Sequence, residues 1–458
     1  MPLLRHNLFF SFTIIIIIII SFVACNSDLQ KDPLIATYVD SSPSNDDDDG
    51  GDTLLFKNMI KKNTNSFLSL NKFDGTSSHK LEIVNVNDYG AKGDGYSDDT
   101  QAFKKAWEVV CSSRESVFVA PEDNNYLLKP IRFSGPCKSN ITVQIFGNLE
   151  ASDKLSDYKD DKRHWLIFDS VQKLLVNGGG TINGKGNIWW KNSCKRNKKK
   201  PCKDAPTALT FYNCKDLIVQ NLKIKNAQQI HVSFQDSNNI TVFSLNVSSP
   251  EDSPNTDGIH VTNTQNIKIS SCVIGTGDDC ISIVHGSRNV EATNISCGPG
   301  HGISIGSLGA GKSKEFVTGV IVNGSKISGT KNGVRIKTWP GGSGKASNIK
   351  FQNIEMDNVT NPIIIDQNYC DKKKKPCKKS NSAVQISDVL YENIIGTSAS
   401  DVAVKFDCSK KFPCKDIVMQ NIDLQYEEEG GEEGEGAKAL CDNVDLSYIG
   451  HVMPRCYS

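Results

Sequence analysis

Between positions 257 and 337 the chain presents, in order, Asp257, the neighbouring pair Asp278 and Asp279, His301 between two glycines, and Arg335 with Lys337. Three carboxyls can divide acid and base work: one donates a proton to a leaving oxygen while others hold and activate water. Two cations two residues apart in a strand point to one side. An Arg fork beside a Lys point charge suits a substrate carboxylate. Together these side chains fit hydrolysis of a glycosidic bond in an acidic sugar. Adjacent Asp278 and Asp279 repel unless a cation, hydrogen bonds or a shared proton compensates. In a regular strand they point to opposite faces, so both reach one cleft only where the backbone bends. Taken singly, each Asp equally suits a rung corner, and His301 a hydrogen-bonded turn.

Spacing suggests the scaffold. Asp257 to Asp278 is 21 residues and Asp278 to His301 is 23, and the surrounding sequence repeats on that scale. After about residue 140, short β-branched runs are broken by Asn and Gly, with no convincing further helix. Asn239-Ile240, Asn266-Ile267, Asn289-Val290 and Asn348-Ile349 open similar segments, 27, 23 and 59 residues apart, the last gap holding two coils. This period indicates an all-β solenoid, in which rungs ~4.8 Å apart would stack the carboxylates on one face. Before the coils, Ile83, Val84 and Val86 read as a short strand. Ser97 reads as the N-cap of an amphipathic helix over 97–111 whose Phe103, Ala106, Trp107 and Val110 recur at helical spacing. That helix is expected to cap the exposed end of the stack.

The 458 residues carry 52 Lys plus Arg against 52 Asp plus Glu, which excludes a nucleic-acid binder resting on bulk positive charge. Residues 1–25, with Ile14 to Ile20 at their centre, read as a signal peptide. Residues 26–80 read as a disordered or propeptide segment, and 81–458 as the β-helix domain. Removing Cys25 leaves 14 of the 15 cysteines, an even number in a chain bound for an oxidising compartment, so disulfides are expected. Six sequons, at Asn140, Asn239, Asn246, Asn294, Asn323 and Asn358, agree with secretion. A basic run from Lys195 to Lys200, the cluster Lys372 to Lys375 with Lys378 and Lys379, and an acidic run from Glu427 to Gly436 read as solvated loops. The alternative is that the Lys loops attract a polyanion. No spaced carboxylate loop, paired C-x-x-C or phosphate loop stands in the sequence, so neither metal nor cofactor is expected.

Four motifs carry a resemblance: Ser253-Pro-Asn-Thr-Asp257-Gly-Ile-His260, Thr276-Gly-Asp-Asp-Cys280, Cys297-Gly-Pro-Gly-His301-Gly-Ile-Ser-Ile-Gly306 and Arg335-Ile-Lys337-Thr-Trp339. In this order they resemble the polygalacturonases of glycoside hydrolase family 28, pectin-degrading enzymes, and most of all their plant branch. The likeness runs from about Val84 to Cys456 and includes Asp88-Tyr89-Gly90-Ala91 and Asn361-Pro-Ile-Ile-Ile-Asp-Gln-Asn-Tyr369-Cys370. It implies a right-handed parallel β-helix that hydrolyses α-1,4 bonds of homogalacturonan with inversion and without cofactor. It makes Asp278 the general acid, Asp257 and Asp279 the holders of the attacking water, and His301 the residue that orients the acid. Arg335 and Lys337 would bind the galacturonate carboxylate, Tyr369 would line the sugar site, and Asn255 would support it. Cys280 and Cys297 would form a disulfide stiffening the cleft, with Cys370–Cys377, Cys408–Cys414 and Cys441–Cys456 as further pairs. The resemblance also implies a secreted, glycosylated monomer of the cell wall, without a nucleic-acid or stable membrane partner, open to cell-wall inhibitor proteins. A non-catalytic pectin-binding β-helix, or a hydrolase of rhamnogalacturonan or xylogalacturonan, is the competing reading. The intact aspartates weigh against the first and the cation pair against the second. Ala205-Pro206, Asn226-Ala227-Gln228 and Pro340 depart from the family pattern at what reads as the cleft edge.

Overall fold

A computed structural model describes residues 82–456 apart from 197–198, 200–203, 372–376, 378–379, 381–382 and 427–435. The signal peptide at 1–25, the segment 26–80, Cys202, the second Lys cluster and nearly all of the acidic run lie outside the described residues.

The chain winds as a right-handed parallel β-helix. One wall is an eleven-stranded parallel sheet: β1 (Ile131–Ser134), β2 (His164–Asp169), β3 (Thr207–Tyr212), β4 (Val232–Gln235), β5 (Ile259–Thr262), β6 (Ile281–Ile283), β7 (Ile303–Leu308), β8 (Asn332–Thr338), β9 (Asn361–Asp366), β10 (Val402–Asp407) and β11 (Lys438–Asp442). Pleating sends alternate side chains to opposite faces, and parallel register puts like positions on top of one another. The inner face therefore becomes a ladder: Phe133, Phe168, Phe211, Phe234, Val261, Ile283, Ile305, Ile336, Ile365 and Phe406 stand in register. Phe168, Phe211 and Phe234 stack nearly parallel, with centroids 5.4 and 5.3 Å apart.

Asn at the corners has a physical reason. Asn239, Asn266, Asn289 and Asn348, which open the repeating segments, all take positive φ, between 53° and 59°, a region Asn tolerates better than most residues. Their amides also stack, Asn289 donating to Asn266 at 2.9 Å and Asn266 to Asn238 at 3.3 Å.

Helix α1 (Thr100–Ser112) buries Phe103, Ala106, Trp107 and Val110. Its start differs from expectation. The N-cap position is Asp99, because Ser97 is captured upstream, its N–H and Oγ donating to the Asp94 carboxylate at 2.7 and 2.8 Å. A second helix, α2 (Asn187–Lys191), is too short for a periodic signal. Its Trp190 donates Nε1–H to the Ala227 carbonyl at 3.0 Å. Gln228, beside it, is buried and donates to Tyr158 Oη at 3.3 Å, so this position of the Asn226-Ala227-Gln228 departure packs in the core.

Disulfides join Cys280–Cys297, Cys370–Cys377, Cys408–Cys414 and Cys441–Cys456, and also Cys111–Cys137. The even cysteine count misleads at two positions: Cys214 and Cys272 are free, buried thiols. They fill core positions on separate coils, and burial pushes both up to about 11, which leaves little reactive thiolate. Among the described residues no helix is long and apolar enough to cross a membrane.

Phe211 is fully buried between two stacked rings. Phe211→Ala should lower unfolding stability by about 3–5 kcal/mol in a urea titration; a loss within error would mean that the ladder repacks.

Candidate active site

The site forms where coils enter the eleven-stranded sheet. Gly258 N–H donates to Asp279 O and Ile259 N–H to Cys280 O, both at 2.9 Å, and Cys280 N–H donates to Gly302 O at 2.7 Å. The local coil is thus 22 residues, continuing the β5–β6–β7 register, and Asp257, Asp279 and His301 occupy equivalent positions. Spacings of 21 and 23 had put Asp278 in that ladder; it stands one residue earlier. The backbone bends at Gly277, Asp278 and Cys280, which lets both neighbouring carboxylates serve one cleft.

Close packing holds the bend. Gly277 N–H donates to Thr256 Oγ1 at 3.0 Å, and a Cβ at Gly277 would fall 1.9 Å from the Ser253 carbonyl oxygen. A Cβ at Gly302, where φ is +78°, would lie equally close to the Asn332 carbonyl. Both glycines are therefore fixed by sterics. The Cys280–Cys297 disulfide ties the residue after the aspartate pair to the strand that leads to His301.

Three carboxylates are held in three different ways. Asp279, with a side chain 3% exposed, accepts from Arg335 Nη2 at 2.8 Å, Lys337 Nζ at 2.9 Å and Ser304 Oγ at 2.9 Å. Asp278 is more open, at 21%, and its Oδ1 lies 3.0 Å from His301 Nδ1. Asp257 Oδ2 accepts from Ser282 Oγ at 2.6 Å. With the Ser282 proton committed to Asp257, His260 Nδ1 donates to Ser282 Oγ at 2.8 Å. His231, beneath, lies 2.9 Å through Nδ1 from the Asp257 carbonyl and 2.6 Å through Nε2 from Ser249 Oγ.

These environments separate the acidities. Burial, reinforced by the charges of Asp278 and Asp279, raises the Asp257 carboxyl well above the usual carboxylate range. Burial also pushes Asp278 upward, but the hydrogen bond and charge of His301, with Lys337, outweigh it and hold Asp278 below its ordinary value. Burial lowers His231 and His260 to about 4, so both are neutral at neutral pH.

Tyr369 stands beside the cations, its ring 5.5 Å from Lys337 Nζ and edge-on to Trp339 at 5.3 Å. Asn255 takes φ 58° in the turn that delivers Asp257; among the described residues, the side-chain hydrogen bonds of the carboxylate cluster run to Ser282, Ser304, His301, Arg335 and Lys337. Ser282, Ser304, His260 and His231 went unassigned in the sequence. Ser282 and Ser304, each between two isoleucines and 22 residues apart, are the signal that points to them. Ligand atoms of Asp278, Asp279 and His301 lie within 4.8 Å of one another. The two cations already on Asp279 oppose a metal ion there.

A β-helix with an acid–base cluster of carboxylates on its outer face and two cations beside it is the architecture of a polysaccharide-cleaving enzyme. The model of Glycosyl hydrolases family 28 matches residues 111–448, and the chain belongs to that family and is a glycoside hydrolase. It is 55% identical to Polygalacturonase-2 of Solanum lycopersicum over 446 residues, 97% of this chain and 95% of that protein. It is 54% identical to a polygalacturonase of Malus domestica, covering 99% of this chain and 100% of that one. The crystal structure of a hyperthermoactive exopolygalacturonase from Thermotoga maritima, 20% identical, shares the fold with a TM-score of 0.65 over 81% of this chain and 91% of that one.

The raised carboxyl of Asp257 has a consequence for stability. Below the unfolded carboxyl's pKa of ~3.9 the group is protonated in both states; its contribution is lost as pH rises through the higher folded value. Asp257→Asn should therefore match the unaltered chain's melting temperature below pH ~4 and exceed it at pH 7. A variant that melts lower at pH 7 would refute the assignment.

Proposed function

We propose that this chain hydrolyses α-1,4 bonds of homogalacturonan by inverting acid–base catalysis, secreted into the cell wall. The observation that carries this reading is the pairing of Arg335 and Lys337 on Asp279, beside the Asp278–His301 contact. It supplies an anion-binding pair within reach of an acid, as hydrolysis of an acidic sugar needs. The polygalacturonase names of the relatives support the substrate class.

Asp278 is the general acid, the more open of the neighbouring pair and hence the one a glycosidic oxygen can approach. Asp257 and Asp279 hold and activate the attacking water, and His301 orients the acid. Arg335 and Lys337 take the galacturonate carboxylate, Tyr369 lines that sugar, and Asn255 shapes the turn before Asp257. Burial makes Asp257 hold its proton while Asp278 is held down, so for Asp278 to act as the acid, substrate has to redistribute the proton. A sugar over Asp278 strips water from that carboxyl and raises its pKa. The galacturonate carboxylate brings a negative charge that strengthens proton retention. Asp257 keeps the Ser282 hydrogen bond, which favours its ionised form. Asp257 and Asp278 thus titrate together, not independently.

Asp278→Asn should cut reducing-end release from polygalacturonate by roughly 10²–10⁴-fold, the usual contribution of general acid catalysis, with binding of the polymer retained. An equally folded variant that keeps full activity would exclude Asp278 as the acid. An unaltered protein that binds polygalacturonate and releases no ends would exclude the hydrolase reading.

A further inference from the structure

Loops that enter the eleven-stranded sheet form one wall of the cleft, and loops that leave it form the other. Asp252 lies in the entering loop that delivers Asp257 to β5. Asp371 lies in the leaving loop, two residues beyond Tyr369 and next to the Cys370–Cys377 disulfide. Between these walls the outer faces of β5 to β8 present His260, Ser282, Ser304 and Arg335 in register, followed by Lys337.

Two consecutive residues join the walls. Lys195 Nζ pairs with Asp371 Oδ2 at 2.6 Å. Arg196 Nη2 donates to the Asp252 carbonyl at 2.9 Å and also pairs with the Asp252 carboxylate. The segment is anchored behind by Cys194, which is disulfide-bonded, and by α2 through Trp190. On its upstream side opens a cavity of about 770 Å³ lined by Lys185, Trp190, Arg196, Asn226 and Asp252. Both ion pairs are partly exposed, Lys195 at 38% and Asp371 at 42%, so they are weak and open readily in competition with a polyanion.

We propose that Lys195 and Arg196 form a strap across the cleft that determines which chains enter. A short oligomer slides in from one end beneath it, whereas the interior of a long polygalacturonate enters only when the ion pairs release. This rests on the polygalacturonate reading given above, and it assigns the start of the basic run a gating duty that general attraction of a polyanion does not include.

The test uses the full chain carrying Asp278→Asn, so that bound substrate persists. Association rates are measured for a long polygalacturonate and for trigalacturonate, and their ratio is compared across Lys195→Asp, Asp371→Lys and the double swap. Each single variant should raise the long-to-short ratio by about threefold or more, and the swap, which restores an ion pair of reversed sense, should return it toward the parent value. Net charge alone moves the two single variants in opposite directions, and that result overturns the strap. So does an unchanged ratio, or a double swap that stays open. Failure of the parent to bind either ligand overturns strap and substrate class together. Binding without reducing-end release by the unaltered chain defeats only the hydrolase reading.

Discussion

Parallel stacking is the constraint from which the rest follows. Rungs ~4.8 Å apart bring every residue against its equivalent on the next coil. On the inner face this is favourable, because identical apolar side chains interdigitate and the Phe168–Phe211–Phe234 stack fills the core with repeated shapes. On the outer face the same rule sets Asp257 over Asp279, and like charges at that spacing repel strongly where water is excluded. The chain answers with two cations on β8, two rungs on: Arg335 and Lys337 both close on Asp279. On the proposed reading, a substrate carboxylate reaching those cations would compete with Asp279 for them, so the interaction that offsets the repulsion would also be the one that recognises ligand.

Regular stacking by itself places neighbouring side chains on opposite faces, and the site exists because the ladder is broken at one bend. Gly277 lets the backbone turn against the Ser253 carbonyl, and Gly302 lets the next coil pass under Asn332. The break moves Asp278 out of the 22-residue ladder and toward His301, while Asp279 keeps its place within it. Two carboxylates adjacent in sequence thereby acquire different partners and unequal exposure, 21% against 3%, which is what would let the two take different chemical roles.

What could be read from the sequence was set by what is periodic or chemically unmistakable. The solenoid showed in the Asn-led segments because left-handed corners recur once per coil, and the cluster from Asp257 to Lys337 showed because its groups are expensive to bury without purpose. The register did not: spacings of 21 and 23 average to the true 22, and only backbone hydrogen bonds reveal which aspartate is displaced. Ser97 matches a cap in residue type but does not serve as one, because Asp94, three residues earlier, competes for it. Cys214 and Cys272 defeated the parity argument, since a buried thiol packs like a small apolar side chain. The ion pairs of Lys195 and Arg196 were illegible because their partners lie 176 and 56 residues away.

His231 and His260 complete the electrostatic logic. Both lie under the carboxylates, and burial holds both at about 4, so they contribute hydrogen bonds without charge at neutral pH. A protonated His260 would sit beside Ser282 and Asp257, lower that carboxyl, and compete with Arg335 and Lys337 for an incoming anion. With both imidazoles neutral, fixed positive charge on the floor is concentrated at β8, where Arg335 and Lys337 stand. On the proposed reading this asymmetry would draw an anionic sugar toward β8 and leave the bond beside it nearer the carboxylates at the entry of β5 and β6. Orientation of the proposed substrate would then follow from that asymmetry of charge more than from shape, which suits a polymer whose every unit has the same outline.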